Sequence, residues 1–116
     1  MIFYGISRIF SLVNEEQYYT IGTFWDEITE IHGLENLIGL GYEWSGNEIK
    51  YAIGLKKGII DGYNLAIELS DCGCKTVHGN TDSLKEIYAE VYKSGALTYA
   101  LEKFYNDGSC CIGYYR

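Results

Sequence analysis

The chain has 116 residues, of which 47% are hydrophobic and 22% are charged, and its net charge is −7. This length is typical of one domain, and the balance of apolar and charged residues argues against intrinsic disorder. The negative charge disfavours direct nucleic-acid binding, because lysine and arginine contacts to phosphate dominate that affinity. Neither a run of ~20 apolar residues nor a signal peptide is recognisable. We therefore expect a cytoplasmic protein with no membrane partner.

The first half of the chain predicts a strand, a helix and two further strands. Residues 1–12 are rich in Ile, Phe and Tyr, which is typical of a strand. From Thr20 onward apolar residues recur at helical spacing as far as Ile31, and Gly33 follows the predicted helix end. Two strand-like runs, residues 37–44 and 49–56, then flank a turn of hairpin composition.

The second half predicts the same order of elements. Residues 63–69 alternate in polarity, and we expect them to continue to His78 as one bent strand, kinked near Gly73. The next segment has capping residues at 80–82 and helical spacing over residues 84–92, before Ser94-Gly95. Strands over 97–105 and 110–115 close the unit, joined by a second hairpin turn.

Two such halves predict an α+β fold, in which duplicated β-α-β-β units form one antiparallel sheet with two helices on one face. The single domain would span residues 1–116, with pseudo-repeats at 1–57 and 62–116. That arrangement leaves a groove between the helices, above the centre of the sheet. The groove is the expected place for a ligand.

Four cysteines occur, at positions 72, 74, 110 and 111, and none of them forms a Cys-x-x-Cys pair. A structural zinc site usually needs such a pair, and a cytoplasmic chain rarely holds disulfides. We therefore predict four free thiols, with no metal site and no cofactor. No spacing typical of a catalytic triad or dyad is present, so no catalytic residue is assigned.

Glu102 is the most informative charged residue. On a strand it shares one face with Ala100 and Phe104, so it would enter an apolar groove if that face is turned toward the helices. Burial without a partner would raise its pKa and cost several kcal/mol, roughly, which a cationic ligand or a tyrosine hydroxyl could offset. The alternative is an ordinary polar position on an exposed sheet.

Aromatic residues make up 16% of the chain and supply candidates for the groove wall. Trp25, on the apolar stripe of the first helix, could stack on a planar or cationic ligand or belong to the core. Tyr88 in the second helix, with Tyr42 and Tyr51 in the first hairpin, could donate to a ligand or to Glu102, or be structural. The predicted ligand-binding residues are Glu102, Trp25, Tyr51, Tyr88, Tyr42 and Phe104.

Four segments resemble one known family: Phe3-Tyr4-Gly5-Ile6, Ile21-Gly22-Thr23-Phe24-Trp25, residues 49–55 and residues 99–105. The family is the GyrI-like family, which includes the effector-binding domains of AraC-type and multidrug-responsive transcription regulators and stand-alone proteins of the integron-cassette type. The resemblance implies an aromatic pocket for lipophilic, often cationic compounds, with a buried glutamate as anchor at the position of Glu102.

Three functions follow as hypotheses. The first is a small-molecule-binding module for hydrophobic or cationic ligands. The second is a hydrolase of reactive hydrophobic compounds on the same fold, in which Glu102 would act together with Tyr51 or Tyr88. The third is a protein-interaction module, such as a gyrase inhibitor, with a protein partner contacted through the acidic surface.

Overall fold

Seven antiparallel strands form a single sheet in the computed structural model, which describes residues 2–69, 75–93, 95 and 97–115. The strands are β1 (Ile2–Ser11), β2 (Leu37–Ser45), β3 (Glu48–Leu55), β4 (Leu65–Glu68), β5 (Lys75–Asn80), β6 (Tyr99–Phe104) and β7 (Ser109–Tyr115). Their order across the sheet is β4-β1-β3-β2-β6-β7-β5, so β2 is the central strand. The prediction of an α+β fold with one antiparallel sheet is confirmed.

Two helices, α1 (Gln17–His32) and α2 (Leu84–Tyr92), pack on the same face of this sheet. Their buried side chains join one apolar cluster with residues of β3, β6 and β7. α1 begins three residues before the predicted start at Thr20, and it ends at His32, followed by Gly33, whose N–H donates a hydrogen bond to the carbonyl of Thr29. Ile31, predicted to lie on the buried stripe, is 71% exposed.

Neither helix of the described residues has the length and apolar character needed to cross a lipid bilayer.

The sheet buries side chains on both of its faces. We call the face that the helices cover the inner face and the opposite one the outer face. Alternation along each strand separates the two sets, so that Tyr51 and Ile53 of β3 point inward while Ala52 points outward. The buried outer-face cluster consists of Phe3, Ile38, Leu40, Tyr42, Ala52 and Leu69.

The prediction of one bent strand over residues 63–78 is wrong. β4 pairs with β1 at one edge of the sheet, whereas β5 pairs with β7 at the other edge. The two segments therefore belong to opposite ends of the sheet and share no partner. Their alternating sequence is typical of any strand, and it carries no information about which distant strand each one joins.

The predicted thiols are described at two of the four positions. Cys110 and Cys111 of β7 are free, and Cys110 is buried in the inner-face cluster while Cys111 is half-buried. Adjacent strand residues point to opposite faces, which explains the difference. Cys72 and Cys74 lie outside the described residues, as does the predicted kink at Gly73.

Candidate functional site

Two glycines leave room on the inner face at the centre of the sheet. Gly39 and Gly41 of β2 point toward the helices, where a larger residue would fill the space above the strand. In register, Gly39 lies opposite Glu102 of β6, and Gly41 lies between Ala100 of β6 and Tyr51 of β3. The neighbours of the glycines thus include a small residue, a tyrosine and a carboxylate. This is the floor of the candidate site.

Tyr51 reaches Glu102 by crossing over Gly39. Its hydroxyl donates a hydrogen bond to Oε1 of Glu102, two strands away. A Cβ at position 39 would collide with that hydroxyl and would lie 2.6 Å from a ring atom of Trp25. Only glycine at this position lets the tyrosine ring lie flat enough to make the contact.

The second oxygen of Glu102 is bound from the helix side. Tyr88 of α2 donates to Oε2 at 2.5 Å, while Trp25 of α1 donates its indole N–H to the Tyr51 hydroxyl at 2.8 Å. Trp25 also packs edge-on against Phe104, with ring centroids 4.9 Å apart. Both helices and two strands therefore contribute to one hydrogen-bonded network that ends at the carboxyl group.

The network changes the ionisation of its members. Burial raises the pKa of Glu102 above its ordinary value of 4.5, and the hydrogen bonds from Tyr51 and Tyr88 offset part of that rise by favouring the carboxylate. Burial and the neighbouring carboxylate raise the pKa values of Tyr51 and Tyr88 well above 10.0. Both phenols therefore keep their protons and act as donors.

No cation of the described residues neutralises Glu102. The four ion pairs of this part of the chain join other groups: Arg8 with Glu27, Lys50 with Glu43, Lys85 with Glu15, and Lys93 with Glu90. Glu102 is only 5% exposed, so water screens it poorly. When it is ionised, this side chain has two hydrogen-bond donors and, among the described residues, no opposite charge.

A cavity of about 460 Å³ lies above this floor, between α1 and α2. Its walls are largely aromatic and aliphatic, as in most small-molecule sites, and its size falls in their usual range of roughly 300–1,000 Å³. Among the lining residues are Trp25, Gly41, Trp44, Tyr51, Tyr88, Tyr92, Ala100, Glu102 and Phe104. The space above Gly41 is therefore a pocket with Glu102 at its floor, and Asp26 and Asp82 also line it.

Five of the six residues predicted from the sequence line this cavity: Trp25, Tyr51, Tyr88, Glu102 and Phe104. Tyr42 does not, and its prediction as a pocket residue is wrong. It lies on the outer face, 5% exposed, with its hydroxyl 2.5 Å from Oγ of Ser7. The reason is the phase of β2, because residues 39 and 41 point inward and residue 42 must then point outward.

Several cavity residues were not predicted. Gly41, which lines the cavity, and Gly39, which lies under the Tyr51 hydroxyl, escaped notice because a glycine carries no side chain to suggest a role, although the pattern Ile38-Gly39-Leu40-Gly41-Tyr42 already separates a small face from a large one. Gln17 and Tyr18 fell before the predicted start of the first helix. Tyr92 closes the wall beside Tyr88, and burial raises its pKa to about 12 despite a hydrogen bond from Trp44.

The chemistry of the arrangement is that of an anionic, aromatic pocket. Among the described residues, no group of three or more His, Cys, Asp or Glu side chains is placed to hold a metal ion. The residue types around Glu102 supply flat apolar surfaces and hydroxyl donors. Comparison of the chain with protein-family models, with curated proteins and with solved structures returns no match.

Proposed function

We propose that the protein binds lipophilic cations in the cavity between α1 and α2, with Glu102 as the counter-charge. We further propose that it is a GyrI-like effector-binding domain acting in the cytoplasm, built from two duplicated β-α-β-β units. In support of the duplication, β1-β3-β2 in one half and β5-β7-β6 in the other run in the same order toward the centre of the sheet, and β4 is an additional strand beyond β1. The proposal of cation binding depends only on the geometry of the site and not on the proposed family.

The observation that carries the proposal is the state of Glu102. This acidic group is 5% exposed and bound by two tyrosine hydroxyls, and once ionised it has no counter-charge among the described residues. Burying an ion costs free energy, which hydrogen bonds offset in part and an opposite charge of good geometry offsets further. A cationic ligand would supply what the described part of the chain lacks.

The walls of the cavity suit the remainder of such a ligand. Trp25, Tyr51, Tyr88 and Phe104 present ring faces or edges around the carboxyl group. A cation over an aromatic face gains up to about 2 kcal/mol when desolvated, and apolar groups gain about 25 cal/mol per Å² buried. The net charge of −7 adds a weak, long-range attraction for cations.

The hydrolase alternative has less support from the same geometry. A carboxylate acting as general base must accept a proton from water or substrate. Each oxygen of Glu102 already accepts a hydrogen bond from a tyrosine, so a water or substrate molecule would have to compete with those donors for the carboxylate. This arrangement favours an anchor over a base, and no contact of the described residues favours the protein-interaction hypothesis.

The test is calorimetric titration with three ligands of similar shape: a naphthylmethyl-trimethylammonium ion, its neutral carbon isostere and naphthylacetate. We expect the cation to bind most tightly and the anion to bind least. Glu102→Gln keeps the shape of the side chain and removes the charge, so it should weaken binding of the cation by a few kcal/mol, roughly, and leave the neutral isostere nearly unaffected.

The matched control is Glu30→Gln, which removes an exposed carboxylate of α1 that does not line the cavity. It should change the affinity for the cation by less than about 0.5 kcal/mol, since exposed charges at a distance are screened. Equal cation affinity of the wild type and Glu102→Gln would contradict the proposal. An equal loss in both variants would show that only the overall charge matters.

A further inference from the structure

The hydrogen bonds at the floor of the cavity have a fixed direction at one end. The indole of Trp25 carries an N–H group and no acceptor atom, so it can only donate. Its 2.8 Å bond to the Tyr51 hydroxyl therefore makes the tyrosine oxygen an acceptor. The same hydroxyl is bonded to Oε1 of Glu102, and it has no third partner among the described residues. The single proton of Tyr51 is thus left for the carboxyl group.

This direction disfavours one way of protonating Glu102. A proton on Oε1 would have to be donated to the Tyr51 oxygen, which already accepts the indole N–H. The Tyr51 proton would then lose its acceptor in a side chain that is only 3% exposed. Because a buried donor without an acceptor destabilises the protein, Oε1 stays an acceptor in both ionisation states of Glu102.

The other oxygen of Glu102 is not constrained in this way. Tyr88 is bonded to Oε2 at 2.5 Å, and its hydroxyl makes no other hydrogen bond in the described part of the chain. A hydroxyl with one partner can donate to an ionised Oε2 or accept from a protonated one, turning its own proton toward the cavity that it lines. The carboxyl group therefore has a fixed side at Tyr51 and a reversible side at Tyr88.

The other ionisable groups near Glu102 do not set this direction. Three more are close enough for the carboxylate to affect their pKa values: Tyr18 of α1, Tyr92 of α2 and Cys110 of β7. Burial is the largest cause of the raised pKa of each, so all three are neutral where a carboxyl group titrates. The remaining charged residues of the lining are exposed, and they are Asp26, Asp82 and Lys85, the last paired with Glu15.

We propose that Trp25 is a positioning residue, whose N–H fixes the Tyr51 hydroxyl as a donor to Glu102 and so favours the ionised carboxylate that a cationic ligand requires. This inference rests on the proposed function, and it gives Trp25 a role separate from stacking on the ligand. Without the N–H, Tyr51 can accept a proton from Glu102, and the neutral acid forms more readily. The site then discriminates less between cations and neutral ligands of the same shape.

The first test is NMR titration of Glu102 in the free protein. Trp25→Phe keeps an aromatic ring and removes the N–H, so the pKa of Glu102 should rise. Replacing Trp25 by benzothienylalanine keeps both rings and should have the same effect, which separates the lost donor from a change in packing. The matched control is Trp44→Phe, which removes an N–H bonded to Tyr92 in the same cavity and should leave the pKa of Glu102 unchanged. Melting temperatures check that every variant is folded.

A double-mutant cycle shows whether Trp25 acts through Tyr51. In the Tyr51→Phe background no hydroxyl remains to be oriented, so adding Trp25→Phe should change the pKa of Glu102 no further. An equal rise with and without the Tyr51 hydroxyl would show that Trp25 acts by another route, and it would overturn the inference. An unchanged pKa in both variants that lack the N–H would overturn it as well.

Binding of the naphthylmethyl-trimethylammonium ion across a range of pH separates this inference from the function on which it rests. At low pH, where Glu102 is protonated in most molecules, Trp25→Phe should bind the cation about 3- to 10-fold more weakly than the wild type. At high pH, where both proteins are ionised, the affinities should agree within about 2-fold. A loss of the same size at every pH would indicate lost stacking alone and would rule out the positioning role.

The titration of the free protein needs no ligand, so it decides the role of Trp25 whether or not a cation binds. If the pKa of Glu102 responds as expected while no lipophilic cation binds, or while Glu102→Gln binds it equally well, the proposed function fails and the role of Trp25 toward the carboxyl group stands. If the cation binds through Glu102 while the pKa ignores the indole N–H, the proposed function stands and this inference is wrong.

Discussion

The two faces of the central strand β2 are built in opposite ways. On the outer face Ile38, Leu40 and Tyr42 are packed to 8% exposure or less. On the inner face Gly41 leaves space at the floor of the cavity, and Gly39 leaves the space in which Tyr51 crosses to Glu102. The large residues of β2 thus pack on the outer face, and its small residues leave space on the inner face.

Tyrosines on the two faces show the same division. The hydroxyl of Tyr42 meets the hydroxyl of Ser7, a neutral partner that satisfies it within the protein. The hydroxyl of Tyr51 meets Glu102, a carboxylate that one or two hydroxyls stabilise but cannot neutralise. On the outer face the described residues satisfy the Tyr42 hydroxyl, whereas on the inner face they place no cation beside Glu102. A buried acidic group without a neighbouring cation, such as Glu102, can therefore indicate a ligand-binding site.

Leu40→Ala should produce the largest change in stability. Leu40 is fully buried on the outer face, and removing its side chain leaves a hole in packed surroundings. Such substitutions lower the free energy of unfolding by about 2–5 kcal/mol. Cation affinity of the folded variant should stay within about 2-fold of the wild type, because the cavity lies on the other face. Urea unfolding together with calorimetric titration checks both expectations, and a large loss of affinity would break the separation of the two faces.

Gly39→Ala should lower the free energy of unfolding less than Leu40→Ala does, and it should weaken cation binding more. The added methyl group collides with the Tyr51 hydroxyl and the Trp25 ring, so Tyr51 must move away from Glu102. Overpacking of this kind costs about 1–3 kcal/mol. Displacement of Tyr51 should also lower cation affinity by about 10-fold, because it rearranges the carboxyl group and the wall beside it.

Gly22→Ala is the control for the effect of an added methyl group on stability alone, because Gly22 itself lines the cavity. It adds the same group to α1 where no atom lies within 4 Å, and it should raise stability by about 0.5–1 kcal/mol through helix propensity. Urea unfolding compares the three proteins. If Gly39→Ala is as stable as the wild type and binds the cation equally well, the glycine floor has no role in placing Tyr51.

Local pattern was enough to predict the parts of the site that depend on one element. Alternation in β6 placed Glu102 on the face of Ala100 and Phe104, and burial alternates along that strand as expected. Helical spacing placed Trp25 on the buried stripe of α1. The relation between neighbouring residues of one strand or helix is set by backbone geometry, so the sequence contains it.

Relations between distant elements could not be predicted in the same way. Tyr42 was misplaced because both faces of β2 are buried, so polarity gives no sign of which face meets the helices. The split between β4 and β5 depends on pairing with β1 and β7, which are remote in sequence. The Tyr51–Glu102 contact spans 51 residues and requires a glycine on a third strand.

Titration of the Glu102 carboxyl carbon by NMR, with and without a bound lipophilic cation, tests the central claim most directly. Burial should hold the pKa of Glu102 above 4.5 in the free protein, and the bound cation should lower it by stabilising the ionised form. By linkage, cation affinity then rises as the pH increases through the pKa of the free protein and falls as the pH decreases through it. A pKa of Glu102 that is the same in the free and cation-saturated protein would contradict the account.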